Sequence, residues 1–86
     1  MKKILLIDDD RAIGLLIKNV FRDHYEVVYL ENALKGLLWL EDGNDADLII
    51  SDIQMPGMDG FEFIRKVKSS GFYQKIPLIM LSGMDS

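Results

Sequence analysis

The residues best suited to chemistry in this 86-residue sequence are polar side chains that directly follow short apolar runs. Carboxylates can bind hard cations or attack an electrophilic phosphorus atom, and a nearby hydroxyl can donate a hydrogen bond to the group being bound. Three aspartates follow the first run, one follows a second run and a serine follows a third: Asp8, Asp9, Asp10, Asp52 and Ser82.

The apolar runs that precede these residues are typical of strands buried on both faces of a parallel sheet. Between them lie segments with apolar residues at helical spacing. The resulting prediction is strand 4–7, helix 13–21, strand 25–30, helix 33–41, strand 47–51, a helix from Asp59 to Gly71 and strand 76–81. Strands that alternate with amphipathic helices indicate an α/β fold with an open parallel sheet.

Ligands of open α/β sheets bind beyond the carboxyl ends of the strands, where the winding direction reverses. If the strands at 4–7 and 47–51 are neighbours, they lie about 4.8 Å apart, and Asp8, Asp9 and Asp52 crowd into one small volume. Three carboxylates at such a distance repel one another unless a cation lies among them. Mg²⁺ binds one or two carboxylates and keeps several of its waters, so the pattern favours a magnesium site.

A plainer interpretation is that these aspartates only start a helix, since Asp caps helix N-termini and suits the positive end of the helix dipole. Asp10 fits this role best, because a helix is predicted just beyond it. For Asp8 and Asp9 alone, the two interpretations are equally balanced. Asp52 is separated from the next predicted helix by a Pro-Gly turn at 56–57, so the capping interpretation does not suit it.

The composition excludes several classes of protein. The hydrophobic share is 49%, too high for a disordered tail, and no apolar run reaches the roughly 18 residues of a membrane span. The net charge of −4 argues against direct binding to nucleic acid. The sequence has no cysteine, which excludes a disulfide framework and favours a cytoplasmic location.

Three separated blocks together resemble the receiver domain of bacterial two-component response regulators. They are Ile4 to Asp10, Ile49 to Gly60 and Pro77 to Gly83, and the block around Asp52 is the most specific. The resemblance implies a flavodoxin-like, doubly wound fold with strand order 2-1-3-4. It also implies a signalling domain of a phosphorelay, and not an enzyme.

The resemblance further implies roles for individual residues. Asp52 would accept the phosphoryl group, Asp9 would bind Mg²⁺ directly, and Asp8 would hold the ion mainly through water. The backbone carbonyl of Gln54 would be a further metal ligand.

Two more roles concern the phosphoryl group itself. Ser82 would donate its hydroxyl to the phosphoryl oxygens, beside the backbone N–H of Gly83. Gln54 and Met84 would line the route to that group. The donor would be a phosphohistidine of a histidine kinase or of a histidine phosphotransfer protein.

Part of the family fold has no counterpart in the 86 residues. We expect residues 1–86 to form a partial receiver domain without the family's fourth helix, its fifth strand with a phosphate-pairing lysine, and its fifth helix. No lysine here replaces the missing one, because Lys75 precedes the strand at 76–81 and Lys66 and Lys68 belong to a helix. The strand at 76–81 then becomes an apolar edge, through which a homodimer could form.

Two other functions remain open at this point. The first is a phosphatase of the haloacid-dehalogenase type, with Asp8 as nucleophile and Asp10 as acid. Ala12 occupies a position where that family has Thr or Val, and no second acidic motif follows Ser82. The second is a receiver-like scaffold for protein interactions that is never phosphorylated.

Overall fold

The computed structural model describes residues 1–52, 60–71 and 73–81. Within these ranges none of the helices is both long and apolar enough to cross a membrane. Four strands alternate with three helices: β1 (Lys2–Ile7), α1 (Arg11–Phe21), β2 (Tyr25–Leu30), α2 (Ala33–Glu41), β3 (Leu48–Asp52), α3 (Gly60–Lys68) and β4 (Leu78–Leu81).

The strands form one parallel sheet in the order β2-β1-β3-β4. Ile7, the last residue of β1, is paired with Leu30 of β2 on one side and with Ser51 of β3 on the other. The predicted α/β class and the strand order 2-1-3-4 are therefore confirmed. The winding direction of the chain reverses at β1, so the carboxyl ends of β1 and β3 lie side by side. Proteins of this fold class bind their ligands at such a point.

Successive side chains of β1 enter two separate apolar clusters, because a strand points alternate residues to opposite faces of the sheet. Leu5 and Ile7 pack on the face covered by α2 and α3, and Ile4 and Leu6 pack on the face covered by α1. All four are at most 3% exposed. Burial on both faces explains why the sequence of this strand shows an unbroken apolar run.

Helix α1 buries only part of the stripe that its apolar spacing predicts, which consists of Ile13, Leu16, Ile17, Val20 and Phe21. Gly14 is buried and Ile17 and Phe21 pack against the sheet, whereas Leu16 and Val20 are 62% and 63% exposed. The helix lies mainly over β2, so only the side that faces this strand finds apolar partners among the described residues.

Helix α2 buries only part of the stripe that its apolar spacing predicts, which consists of Ala33, Leu34, Leu37 and Leu38. Leu34 and Leu38 are 53% and 54% exposed, while Ala33, Gly36 and Leu40 are buried. A Cβ atom on Gly36 would lie 2.3 Å from Cδ1 of Ile7. The missing side chain therefore lets the helix backbone approach β1 closely, which turns the small residues inward and the two leucines outward.

Helix α3 buries a residue that the sequence pattern did not single out. The spacing of Phe61, Ile64 and Val67 predicts that these residues share the packed side. Phe61 is instead 60% exposed, whereas Phe63 is fully buried together with Val67. Phe63 and Val67 are four residues apart, so they share one face of the helix. A buried Phe61 and a buried Phe63 are both compatible with helical spacing. Only the contact with the sheet determines which of the two phenylalanines is buried.

This arrangement predicts opposite results for two matched substitutions. Phe63→Leu leaves a gap in the core and should lower the free energy of unfolding by about 1–2 kcal/mol. Phe61→Leu removes the same atoms from an exposed site and should change it by less than about 0.5 kcal/mol. Urea unfolding followed by circular dichroism measures both, and equal losses would contradict the orientation of α3.

Candidate functional site

Three aspartates from two neighbouring strands meet at the carboxyl edge of the sheet. Asp8 and Asp9 directly follow β1, and Asp52 is the last residue of β3, which pairs with β1. One carboxylate oxygen from each residue lies within 4.8 Å of the other two. Asp8 is only 3% exposed, Asp52 is partly buried and Asp9 is exposed. We call these three residues the acidic cluster.

The backbone and side chain of Asp8 are held by three hydrogen bonds. Its N–H donates to the carbonyl oxygen of Leu30 at 3.2 Å, which extends the pairing of β1 with β2 by one residue. Its own carbonyl oxygen accepts a hydrogen bond from the Tyr29 hydroxyl at 2.8 Å. Its carboxylate accepts one from the Asp10 N–H at 2.8 Å. Asp8 is thus fixed before any ligand arrives.

Asp10 has the capping role that its position suggested. Its carboxylate accepts hydrogen bonds from the N–H groups of Ala12 at 3.0 Å and Ile13 at 3.3 Å, and its backbone has the extended conformation of a helix cap. This carboxylate is therefore turned toward the first turn of α1. The capping interpretation is therefore correct for Asp10, which is not one of the three aspartates of the acidic cluster.

Burial, together with nearby negative charge, raises the pKa of Asp8 above its ordinary value. Burial is the largest cause, and the hydrogen bond from the Asp10 N–H partly opposes it. The negative charges of Asp52, Asp9 and Asp10 raise this pKa further, in that order. The chain alone thus disfavours the ionised form of Asp8, whereas a bound cation would favour it.

The donor set of the cluster fits Mg²⁺. Oxygen ligands of octahedral Mg²⁺ lie about 3 Å apart when adjacent and about 4 Å apart when opposite. The three carboxylate oxygens already lie within 4.8 Å of one another, so they can share one ion, either directly or through one of its waters. All three donors are carboxylates, which suit a hard cation. The exposure of Asp9 leaves room for the waters that this ion retains.

Several residues predicted from the sequence lie outside the described residues: Gln54, Ser82, Gly83 and Met84. Their predicted roles stay predictions. Among the lysines considered above, Lys75 lies before β4, at the end of the sheet opposite the cluster. The Lys68 ammonium group donates hydrogen bonds to the carbonyl oxygens of Gln74 and Ile76, both at 3.0 Å. Neither lysine is placed to contact the cluster.

Sequence reasoning missed Tyr29, whose hydroxyl contacts the backbone of the cluster. In the sequence this tyrosine is only one more strand-forming residue of a short β-branched and aromatic segment. The buried Gly14 packs against its ring, and a Cβ atom on that glycine would lie 2.3 Å from Cε1 of Tyr29. A glycine inside a helical pattern was the one signal that something approaches the helix closely.

Comparison with known proteins places the chain among receivers. Residues 4–86 match the family described as the response regulator receiver domain. Chemotaxis protein CheY1 of Helicobacter pylori is 33% identical over 82 residues, which are 93% of this chain and 66% of that protein. The structure of the chemotaxis response regulator CheY4 of Vibrio cholerae superposes with a TM-score of 0.90 at 33% identity, covering 100% of this chain and 72% of that one.

A rice protein described as two-component response regulator-like PRR37 is 31% identical over 86 residues, but the chain spans only 12% of its length. The similarity therefore concerns one domain of that larger protein. The match over residues 4–86 agrees with the parallel sheet in order 2-1-3-4 and with the aspartates at the ends of β1 and β3. The chain belongs to the response regulator receiver domain family.

Proposed function

We propose that this chain is the phosphoacceptor of a two-component phosphorelay and that Asp52 accepts the phosphoryl group. The observation that supports this most strongly is the convergence of Asp8, Asp9 and Asp52 at the carboxyl edge of β1 and β3. Asp52 suits the acceptor role because it is partly buried, so an incoming group can reach it while the strand fixes its position.

The proposed step is an in-line displacement at phosphorus. A carboxylate oxygen of Asp52 attacks the phosphorus atom and forms an O–P bond, which gives an acyl phosphate. The bond from phosphorus to the donor breaks, and its electron pair leaves with the donor: the imidazole nitrogen of a phosphohistidine, or the acetate oxygen of acetyl phosphate. No oxidant, reductant or further reactant is needed.

The other two aspartates would hold the ion that neutralises the transferred group. Bound Mg²⁺ would supply positive charge to the phosphoryl oxygens, which is the main requirement of phosphoryl transfer. Asp9, being exposed, is suited to a direct bond, and buried Asp8 is suited to hold the ion mainly through water. The Gln54 carbonyl would add a ligand, and Ser82 and Gly83 would donate to the phosphoryl oxygens.

The natural phosphoryl donor would be a histidine kinase or a histidine phosphotransfer protein. Support comes from the family match and from relatives whose names describe two-component response regulators. The structural change on modification would follow from the added charge of about −1.5 to −2 at the edge of the sheet. Such a charge can bias a two-state loop and so alter binding to a partner.

Incubation of the chain with acetyl phosphate tests this proposal against its two rivals. We expect intact-mass spectrometry to show one phosphoryl group per chain in Mg²⁺ and none in excess EDTA. Hydroxylamine, which cleaves acyl phosphates, should remove the group. Sustained hydrolysis of phosphate monoesters that Asp8→Asn abolishes would instead indicate the phosphatase. A chain that is not modified and does not bind the metal would indicate the scaffold.

We also propose that a second copy of this chain pairs with the β4 edge. Within the described residues, β4 has a neighbour on one side only, and its side chains Leu78–Leu81 carry no charge that would discourage pairing. Ile79 is 49% exposed on this strand.

Sedimentation velocity over a range of concentrations should therefore show a dimer, and Ile79→Lys should shift it to monomer. Leu34→Lys is the matched control, because Leu34 is similarly exposed but lies on α2. A wild-type chain that stays monomeric, or equal effects of the two substitutions, would contradict pairing through β4.

A further inference from the structure

We propose that Tyr29 is a positioning residue for the acidic cluster and acts through the main-chain carbonyl of Asp8. The inference rests on the proposed metal-binding and phosphoacceptor role of the cluster. It extends that role to a residue of β2, which contributes none of the three carboxylates.

The contact joins the edge strand to the loop that follows β1. The Tyr29 hydroxyl donates to the Asp8 carbonyl oxygen at 2.8 Å, in a partly buried position. The next residue of β2, Leu30, accepts the hydrogen bond from the Asp8 N–H at 3.2 Å. Two consecutive residues of β2 therefore hold both polar backbone atoms of Asp8.

Holding the Asp8 carbonyl also determines the direction of Asp9. A peptide unit is planar, so the orientation of the Asp8 carbonyl fixes the plane of the peptide bond that joins the two residues. The Asp9 side chain leaves the backbone from the far end of this plane. Asp9 is exposed, so packing restrains it little, and its carboxylate direction depends on the backbone that Tyr29 holds.

The Tyr29 ring packs against α1. Gly14 is buried in that helix, and a Cβ atom there would lie 2.3 Å from Cε1 and 2.5 Å from Cζ, the carbon that carries the hydroxyl. The ring also packs on the cluster formed by Ile4, Leu6 and their neighbours. Gly14 thus provides the space that lets the hydroxyl reach Asp8.

A packing role alone would require the ring but not its hydroxyl. Phenylalanine would fill the same space beside Gly14, so a purely structural tyrosine would tolerate Tyr29→Phe with no change in metal binding by the folded chain. A positioning role requires the hydroxyl, because only the hydrogen bond orients the peptide between Asp8 and Asp9. The two roles therefore differ in the metal dissociation constant of the folded chain.

Titration with Mn²⁺, followed by the electron paramagnetic resonance signal of the free ion, measures that constant. We expect Tyr29→Phe to weaken binding by about 3–10-fold, the size that follows from losing one hydrogen bond that supports a ligand. Tyr25→Phe is the matched control, since Tyr25 lies at the other end of the same strand and packs edge-on against Phe21. It should bind Mn²⁺ like the wild-type chain.

Gly14→Ala provides a second, independent variant. Its added methyl group should displace the Tyr29 ring and weaken Mn²⁺ binding by a similar factor. The double variant Gly14→Ala/Tyr29→Phe should bind no more weakly than the weaker single variant, because both changes remove the same hydrogen bond.

Unchanged Mn²⁺ binding by Tyr29→Phe, even with a lower melting temperature, would overturn the inference, as would an equal loss in Tyr25→Phe. Either result, with normal binding by the wild-type chain, would leave the proposed function intact. Failure of the wild-type chain to bind Mn²⁺ would overturn both.

Discussion

Asp52→Asn should abolish the uptake of a phosphoryl group from acetyl phosphate. The amide oxygen of asparagine is a far weaker nucleophile than a carboxylate and cannot yield the acyl phosphate. Asparagine nearly matches aspartate in shape, so the end of β3 should keep its pairing with β4, where residue 52 lies opposite Leu81. Intact-mass spectrometry after incubation with Mg²⁺ and acetyl phosphate measures the change.

Asp42→Asn is the control for this experiment. Asp42 is exposed and follows α2, away from the acidic cluster, so its substitution removes the same charge without touching the site. The control should be modified to the wild-type extent. Full modification of Asp52→Asn would show that another residue accepts the phosphoryl group.

Asp8→Asn should have opposite effects on metal binding and on stability. We expect Mn²⁺ or Mg²⁺ affinity to fall by about 10–100-fold, as when groups that support a bound metal are removed. In EDTA the same substitution should raise the free energy of unfolding by on the order of 1 kcal/mol, because it removes a buried negative charge and also relieves its repulsion by nearby carboxylates. Asparagine can still accept the hydrogen bond from the Asp10 N–H.

Asp10→Asn is the matched control, since Asn caps helices as well as Asp does. It also removes a charge from the same loop, but from a carboxylate that accepts hydrogen bonds from the N–H groups of Ala12 and Ile13. Metal affinity should stay within a small factor of the wild-type value. Equal losses in the two variants would indicate a general effect of net charge and contradict a specific role for Asp8.

The stability difference between wild type and Asp8→Asn should depend on pH. Burial raises the pKa of Asp8 in the folded chain above the ordinary value of 3.8. The folded chain then holds this proton to higher pH than the unfolded chain, so its stability falls as pH rises through 3.8 toward the raised value. Urea titrations in EDTA should show that the free energy of unfolding of Asp8→Asn exceeds that of the wild type by an amount that grows over this pH range and then stays constant.

Much of the fold could be predicted from local signals. The unbroken run at Ile4 to Ile7 indicated a strand buried on both faces, and the Asp10 cap marked the start of α1. The faces of the helices were predicted less well. Leu34 and Phe61 have the type and spacing of core residues, yet both are exposed. The close contact at Gly36 determines the rotation of α2, and the burial of Phe63 determines that of α3.

The site was predictable to the extent that it depends on topology. Asp8, Asp9 and Asp52 are far apart in sequence, and the order of the strands brings them together. The contact from Tyr29 could not be predicted in this way. It depends on the direction of the Tyr29 side chain, which leaves no pattern in the sequence, and on the space left by Gly14. A glycine inside a helical pattern signals a close approach to the helix but does not say which residue approaches.

The central claim is that the cluster holds a metal ion so that Asp52 can be phosphorylated. Peptide mapping by tandem mass spectrometry, after acetyl phosphate treatment in Mg²⁺ or in EDTA, tests it most directly. The account predicts a single phosphoryl group, on the peptide that contains Asp52, and only in the sample with Mg²⁺. A phosphoryl group on any other residue, or equal modification in EDTA, would contradict it.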